Sequence, residues 1–355
     1  MHSIDQKGDK AFTMKIIYCD ETYANAWDDY VSRHEQASFY HLFGWKALNE
    51  TCFGHQTFYL AAVDDGEIRG IFPLVSLKGR LFGNILCSLP FVNYGGPCAD
   101  EPAIEQQLLN EARAIVDQRQ VDYLEIRSLR KLDGELQTSE HKVSITVALD
   151  QNSEVIWDGF KTGHRKHIRQ AYKRELTARS GGIELLDTFY DILAESWGNL
   201  GTPLYQKSYF EHVMKTFPGS TRIFVVDHKG VPVAAALNGY FRGIVEGMWL
   251  GTRPRHRELE PSYVLYWEMI KDSCERGFQQ FHLGRSTVDS GGETFKKKWN
   301  AYPTQLYWQY VVRNGRPMPQ LNVSNPKYKL AMSVWRRLPR AVTSLIGPLV
   351  AKGIP

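Results

Sequence analysis

The stretch FHLGRSTVDSGGETFKKKWNAYPTQLY, residues 281–307, gathers residue types suited to group transfer. A short apolar strand, FHLG, breaks at Gly284 into a polar turn holding Arg285, Ser286 and Asp289. A short helix follows with Phe295, Lys296, Lys297, Lys298 and Trp299. A cation, a hydroxyl and a carboxylate at a strand end, with lysines close behind, put charge at the rim of a sheet, where sites are commonly found. The plain alternative is a solvated loop and a basic surface helix.

Three further groups carry charge or conformational freedom. In the helix predicted over 163–178, Arg165, Arg169 and Lys173 recur every four residues and form a basic stripe, either solvated or suited to phosphate, pyrophosphate or RNA backbone. Arg253, Arg255, His256 and Arg257 follow the strand GIVEGMWLG and precede a helix starting at Glu260-Pro261-Ser262. Arginines beside a helix N-terminus make a phosphate seat, so Arg253, Arg255 and Arg257 are the expected donor-phosphate ligands. Asn93, Tyr94, Gly95 and Gly96 read as a flexible turn, either a plain loop or a substrate lid facing a cleft. The chain has no G-x-S-x-G, H-E-x-x-H, G-x-x-x-x-G-K-[ST] or G-x-G-x-x-G, which disfavours serine-hydrolase, zincin, P-loop and Rossmann chemistry.

The elements that must position these residues form an ordinary globular chain. Its 355 residues are 43% hydrophobic and 23% charged, with a net charge of +4 that permits an anionic partner without demanding one. Five scattered cysteines, odd in number and without C-x-x-C, argue against a disulfide framework and a zinc site, so no metal is expected and the compartment is reducing. Residues 1–13 lack an apolar core and read as a leader rather than a secretory signal; with no run of membrane-spanning length, the expected location is cytoplasmic.

The two halves repeat each other. FYLAAVDDGEIRGIFPLV (58–75) parallels RIFVVDHKGVPVAAAL (222–237), and YLEIRS (123–128) parallels FHLGRS (281–286), both at an offset of about 160 residues. Hairpin, helix and strand in each copy imply a mixed α/β (α+β) sheet flanked by helices, with a cleft between the copies. The expected layout is a first domain over 14–150, a second over 151–315 and a C-terminal helical tail over 316–355, with 130–153 a polar connection. Ile183–Leu186 is read as a strand, 80–100 as irregular, and 154–178 as one helix broken at Gly163.

With those pieces in place the chain resembles the FemAB-type acyltransferases, tandem members of the GNAT superfamily, and more closely the FemAB-like proteins associated with exosortase and PEP-CTERM clusters. The resemblance rests on SFYHLFGW (38–45), LPFVNYGGP (89–97), FKTGHRKHIRQA (160–171), FHLGRSTVDSGGETFKKKW (281–299) and WRRLPRAVTSLIGPLVAKGIP (335–355). It implies two tandem GNAT-like domains, each a mixed, mostly antiparallel sheet, and transfer of an acyl or aminoacyl group to an amine of a cell-envelope or exopolysaccharide precursor. Phe295-Lys296 matches a Phe-Lys pair of the peptidoglycan-bridge members, whose lysine stabilises the oxyanion formed as the amine attacks; a fixed ammonium there is a large stabilising term. Asp289 is the expected base, with Glu293 and His282 as neighbours, and Arg285 would orient a substrate carboxylate or phosphate beside Phe295 and Ser286.

The resemblance implies aminoacyl-tRNA or acyl-CoA as donor and no bound cofactor. The chain departs from it twice. The helical arm of the tRNA-using members is missing, and TRPRHRELEPS stands where CoA-dependent members have a glycine-rich loop. Alternatives are therefore an acyl-CoA-dependent N-acyltransferase acting on an amino sugar and a non-catalytic adaptor in a polysaccharide or protein-sorting assembly. In the tail, Tyr328, Ala331, Met332 and Trp335 share one helical stripe, with Lys327, Lys329, Arg336, Arg337 and Arg340 elsewhere. It reads as a docked helix or as a peripheral contact with the inner face of a membrane, which would suit a lipid-linked acceptor.

Overall fold

The computed structural model describes residues 14–79, 83–313 and 326–354, so the expected leader lies outside the described residues, as do the side chains of Lys327 and Tyr328. The first half contains β1 (Lys15–Tyr18), α1 (Ala24–Arg33), α2 (Gly44–Phe53), β2 (Gln56–Asp64), β3 (Glu67–Gly79), β4 (Gly83–Cys87), β5 (Cys98–Ala99), α3 (Pro102–Gln118), β6 (Tyr123–Ser128) and β7 (Gln137–Ala148). The second contains α4 (Ser153–Gly159), α5 (Thr162–Lys173), β8 (Leu176–Gly181), α6 (Leu186–Leu200), α7 (Lys207–Thr216), β9 (Thr221–His228), β10 (Val231–Phe241), β11 (Ile244–Thr252), α8 (Pro261–Glu275), β12 (Gln280–Thr287), α9 (Gly291–Lys297) and β13 (Tyr302–Val312). Helices α10 (Pro326–Arg337) and α11 (Arg340–Ala351) form the tail.

The repeat is real and has the same chemistry in each copy. The β2–β3 turn places Asp65 and Gly66 at positive φ, and the β9–β10 turn does the same with Lys229 and Gly230. Two consecutive left-handed residues match the twist of an antiparallel pair, which is why a glycine turn closes each hairpin. A third strand then pairs in parallel with the strand after the long helix: β4 with β6, and β11 with β12.

The halves are not separate sheets with a cleft between them. One sheet runs β1-β2-β3-β4-β6-β13-β7-β12-β11-β10-β9-β8, with β5 beside β3. At its centre the copies exchange strands: β7 pairs with β12 of the second copy, and β13 with β6 of the first. The segment expected as a polar connection therefore carries a central strand. Residues 143–147 of β7 are all buried, with Ser144 and Thr146 between Val143, Ile145 and Val147, while its first six residues are polar and not fully buried. A core of Phe39, Trp45, Leu77, Phe189, Tyr209, Trp249 and Trp308 also draws on both halves.

Other expectations change locally. The irregular stretch contains β4, Ile183–Leu185 is a 3-10 turn rather than a strand, and β8 takes the end of the long helix expected over 154–178. The break in that helix falls at Phe160 and Lys161, while Gly163 lies within the first turn of α5.

Candidate functional site

Strands β11 and β12 pair over only three residues, Ile244–Glu246 with Gln280–His282. Beyond them β12 bulges against β7 between His282 and Arg285. Gly284, at φ +77°, brings its backbone so near β11 that a Cβ there would stand 2.8 Å from the Gly247 carbonyl oxygen. Only glycine combines that dihedral with that approach. Helix α9 closes the gap from one side. Ser290 caps it by accepting from Glu293 N–H at 3.2 Å, and the Phe295 ring packs edge-on against Tyr263 and Tyr266 of α8. That anchor turns the next residue inward, and Lys296 Nζ donates to the carbonyls of Gly284 and Arg285, both at 3.0 Å. Two of three ammonium donors are thus taken, neither by a carboxylate. Burial, then the charge of Arg285, pulls the Lys296 amine down to about 7.

Around Glu246 of β11, at the last paired position before the gap, lies a buried polar group that the sequence pattern does not reveal. Glu246 is 1% exposed. Its Oε1 accepts from the Tyr94 hydroxyl and lies 3.0 Å from His282 Nδ1, which is itself 2.9 Å from that hydroxyl. The second oxygen, Oε2, is buried, and the carboxylate also interacts with the Tyr40 hydroxyl. Burial pushes the His282 imidazole down, but Glu246 pushes it further up, so the net direction is up. Burial and then the Glu246 charge hold the Tyr40 and Tyr94 phenols well above their usual range. Asn93 completes the group by donating to the Tyr40 hydroxyl at 3.1 Å. His282, read as a core histidine or a neighbour of the base, is buried and ion-paired to Glu246.

The repeated Arg-Ser pairs meet at the seam. Arg127 and Arg285 both donate to the Val92 carbonyl, at 3.3 and 3.2 Å, and both guanidiniums lie over the Trp308 ring, at 4.4 and 5.6 Å. Glu125 neutralises Arg127 at 2.6 Å. Burial and then Arg127 pull Arg285 down to about 10; burial and then the two arginines pull Lys142 down to about 8. Cations therefore outnumber carboxylates here, and an anion would be welcome.

Of the residues expected in the site, Lys296 meets the Arg285 backbone, Asn93 and Tyr94 join the group around Glu246, Ser286 is buried on β12, and Phe295 packs into α8. Asp289 is exposed in the turn, and its own N–H is capped by Glu293 Oε2 at 2.6 Å. Asn93–Gly96 is no flexible lid. All four residues are buried, a Cβ on Gly95 would reach 2.9 Å from Leu89 Cβ, and one on Gly96 would overlap Ser128 Oγ. These glycines serve close packing, while Tyr94 reaches across to the second copy. Tyr94 also lines a cavity of about 280 Å³ in the first copy, with His41, Pro97, Ser128 and Arg130 among its walls.

The basic stripe of α5 faces outward. Arg165 reaches Asp158 at 3.4 Å, Arg169 lies 5.2 Å over the Trp157 ring, and Lys173 is exposed. Arg253 is not free for a phosphate: it is 9% exposed, bound by Asp191 and Glu195 of α6, and donates to the Pro232 carbonyl at 2.9 Å. Arg255 and Arg257 are exposed, but the cap of α8 is Glu260, whose carboxylate meets Arg174 at 2.7 Å and His167 at 3.2 Å. A carboxylate beside this helix N-terminus makes it less attractive to an anionic ligand.

Residues 161–297 match the family described as acetyltransferase (GNAT) domain. The sequence matches no curated protein. Among solved structures, the chain is similar to FemX, at 15% identity over 90% of this chain and 100% of that one, with a TM-score of 0.64. It is also similar to L-PGS from Bacillus licheniformis, at 14% identity over 85% and 96% with a TM-score of 0.52. A tandem GNAT protein from the clavulanic acid biosynthesis pathway gives 10% identity over 84% and 98% with a TM-score of 0.54. Residues 161–297 thus match a GNAT domain, and the chain as a whole shares the fold of these solved structures, a tandem GNAT protein among them.

Proposed function

We propose that this protein is an acyltransferase that moves an aminoacyl group to an amine of a cell-envelope or exopolysaccharide precursor in the cytoplasm. Its chemistry lies where β11 and β12 part. The observation that carries the reading is Lys296: a buried amine held by two main-chain carbonyls, with one donor direction left for a substrate. The attacking nitrogen bonds to the acyl carbon, the carbonyl oxygen becomes an oxyanion beside Lys296, and the nitrogen's proton passes to the hydrogen-bonded group of Glu246, His282 and Tyr94. Collapse breaks the bond to the leaving oxygen, which takes a proton. Arg285 and Lys142 favour an acceptor that carries a carboxylate or phosphate.

An aminoacyl ester is favoured over a CoA thioester because Arg253 is committed to α6 and the Glu260 carboxylate stands beside the start of α8. Acyl-CoA-dependent N-acylation of an amino sugar is the second reading, supported by the GNAT family match. The buried contact of Lys296 with Arg285 counts against a non-catalytic adaptor. Thermal unfolding with a panel of CoA thioesters and with charged tRNA tests the donor. A ligand at 100 times its dissociation constant contributes about 2.7 kcal/mol. A shift with thioesters that is lost in Arg255→Ala/Arg257→Ala would replace the aminoacyl reading with the CoA one, whereas a shift with charged tRNA alone supports it.

A further inference from the structure

We infer that α10 and α11 form a face that docks the protein on an anionic lipid bilayer. The three most exposed large apolar side chains among the described residues all lie here: Leu345 at 76%, Leu330 at 67% and Leu349 at 66%. Val334 and Val342 join them. The spacings 330/334 and 342/345/349 are those of one helical stripe on each helix. Both helices rest on α6, so the faces turned away from α6 look outward together.

These leucines are not left over from a poorly docked tail. Gly347 lies against the Leu204 backbone, where a Cβ would come 3.1 Å from its oxygen. Ala351 is 1% exposed, Arg340 is bound by Asp191, and the Lys352 carbonyl is 2.9 Å from His55 Nε2 in the first copy. The tail is thus fixed on both copies while its apolar residues point away.

Charge selects the occupant. Residues 326–354 contain Lys327, Lys329, Arg336, Arg337, Arg340 and Lys352 and no Asp or Glu, and α11 has no charge between Arg340 and Lys352. Leucines between basic ends match an interfacial helix, with the apolar side chains among acyl chains and the cations at headgroup phosphates. Among the described residues no helix is long and apolar enough to cross a membrane, so the contact would be peripheral.

Co-sedimentation of the full-length protein with phosphatidylcholine vesicles, with and without 30% phosphatidylglycerol, tests this independently of the acyl-transfer reading. The expected result is binding to the anionic vesicles that weakens with salt and falls at least tenfold in Leu345→Glu/Leu349→Glu and in Lys329→Glu/Arg337→Glu, with the melting temperature unchanged. No binding, or equal binding to both vesicles, overturns the proposal. So does a dimer in solution that Leu345→Glu dissolves, because the face would then belong to a second copy.

Discussion

Replacing Lys296 with Met tests the energetic basis of the site. Met keeps the length and apolar stem of the side chain and removes the amine. The wild-type amine titrates near 7 in the fold, against 10.5 for an ordinary lysine, because burial and Arg285 disfavour the ammonium. Between those values the unfolded chain binds a proton that the folded protein does not. Folding stability therefore rises with pH across roughly 7 to 10.5, and is flat below that window. The limiting slope is about 1.4 kcal/mol per pH unit, so the ceiling for the whole shift is about 5 kcal/mol. The two main-chain carbonyls still solvate the ammonium, so about 2–3 kcal/mol is the expected change. Urea unfolding of both proteins at pH 6.5, 7.5, 8.5 and 9.5 reads it: the wild type should gain stability relative to Lys296→Met as pH rises, and the Met variant should be the more stable near pH 6.5. Parallel stability curves would refute an uncompensated buried amine. Once the donor is known, the same variant should lose about 10²–10³ in kcat with KM little changed.

Glu246→Gln keeps the shape of the buried cluster but removes the proton acceptor. It should lower kcat by about 10²–10⁴, and a loss confined to KM would argue that Glu246 only positions Tyr94. Arg253→Met leaves Glu195 unpaired on α6 and Asp191 with Arg340 alone. Thermal or urea unfolding should show a cost of about 2 kcal/mol, with the donor KM unaltered; a raised donor KM without destabilisation would restore the phosphate-seat reading. Gly284→Ala meets both a left-handed dihedral and the Gly247 carbonyl, so it should cost about 1–3 kcal/mol and reduce activity at a temperature where it remains folded. An Ala variant with wild-type stability and rate would show that the gap between β11 and β12 is not so tightly built.

Much of this was readable from the chain because local chemistry and repetition carry it. The glycine turns, the long helix before each Arg-Ser strand and the Phe295-Lys296 pair are all encoded within a few residues of each other. Glu246 was not readable. A lone acid in GIVEGMWLG takes its meaning from His282, on the next strand, and Tyr94, about 150 residues earlier. Arg253 misled for the same reason: Asp191 and Glu195, one helical turn apart on α6, are what occupy it. Asn93–Gly96 looked like a loop because glycine pairs serve mobility and close packing alike, and only the neighbours, Leu89 and Ser128, decide between them. β7 was missed because half of it is polar and its partners, β12 and β13, lie far along the chain.

The central strand exchange has a consequence for synthesis. Ser128 of β6 pairs with Tyr307, about 180 residues later; at about 5–20 residues per second the ribosome takes roughly 10–40 s to deliver that partner. During that time β6 is paired only with β4 and β7 has no mate, and open strand edges of this kind recruit other chains. The first copy cannot be completed by its own residues, so a nascent or truncated chain ending near residue 150 should need a chaperone to stay in solution. Expressed as separate pieces, the two halves should recover the fold only when both are present together.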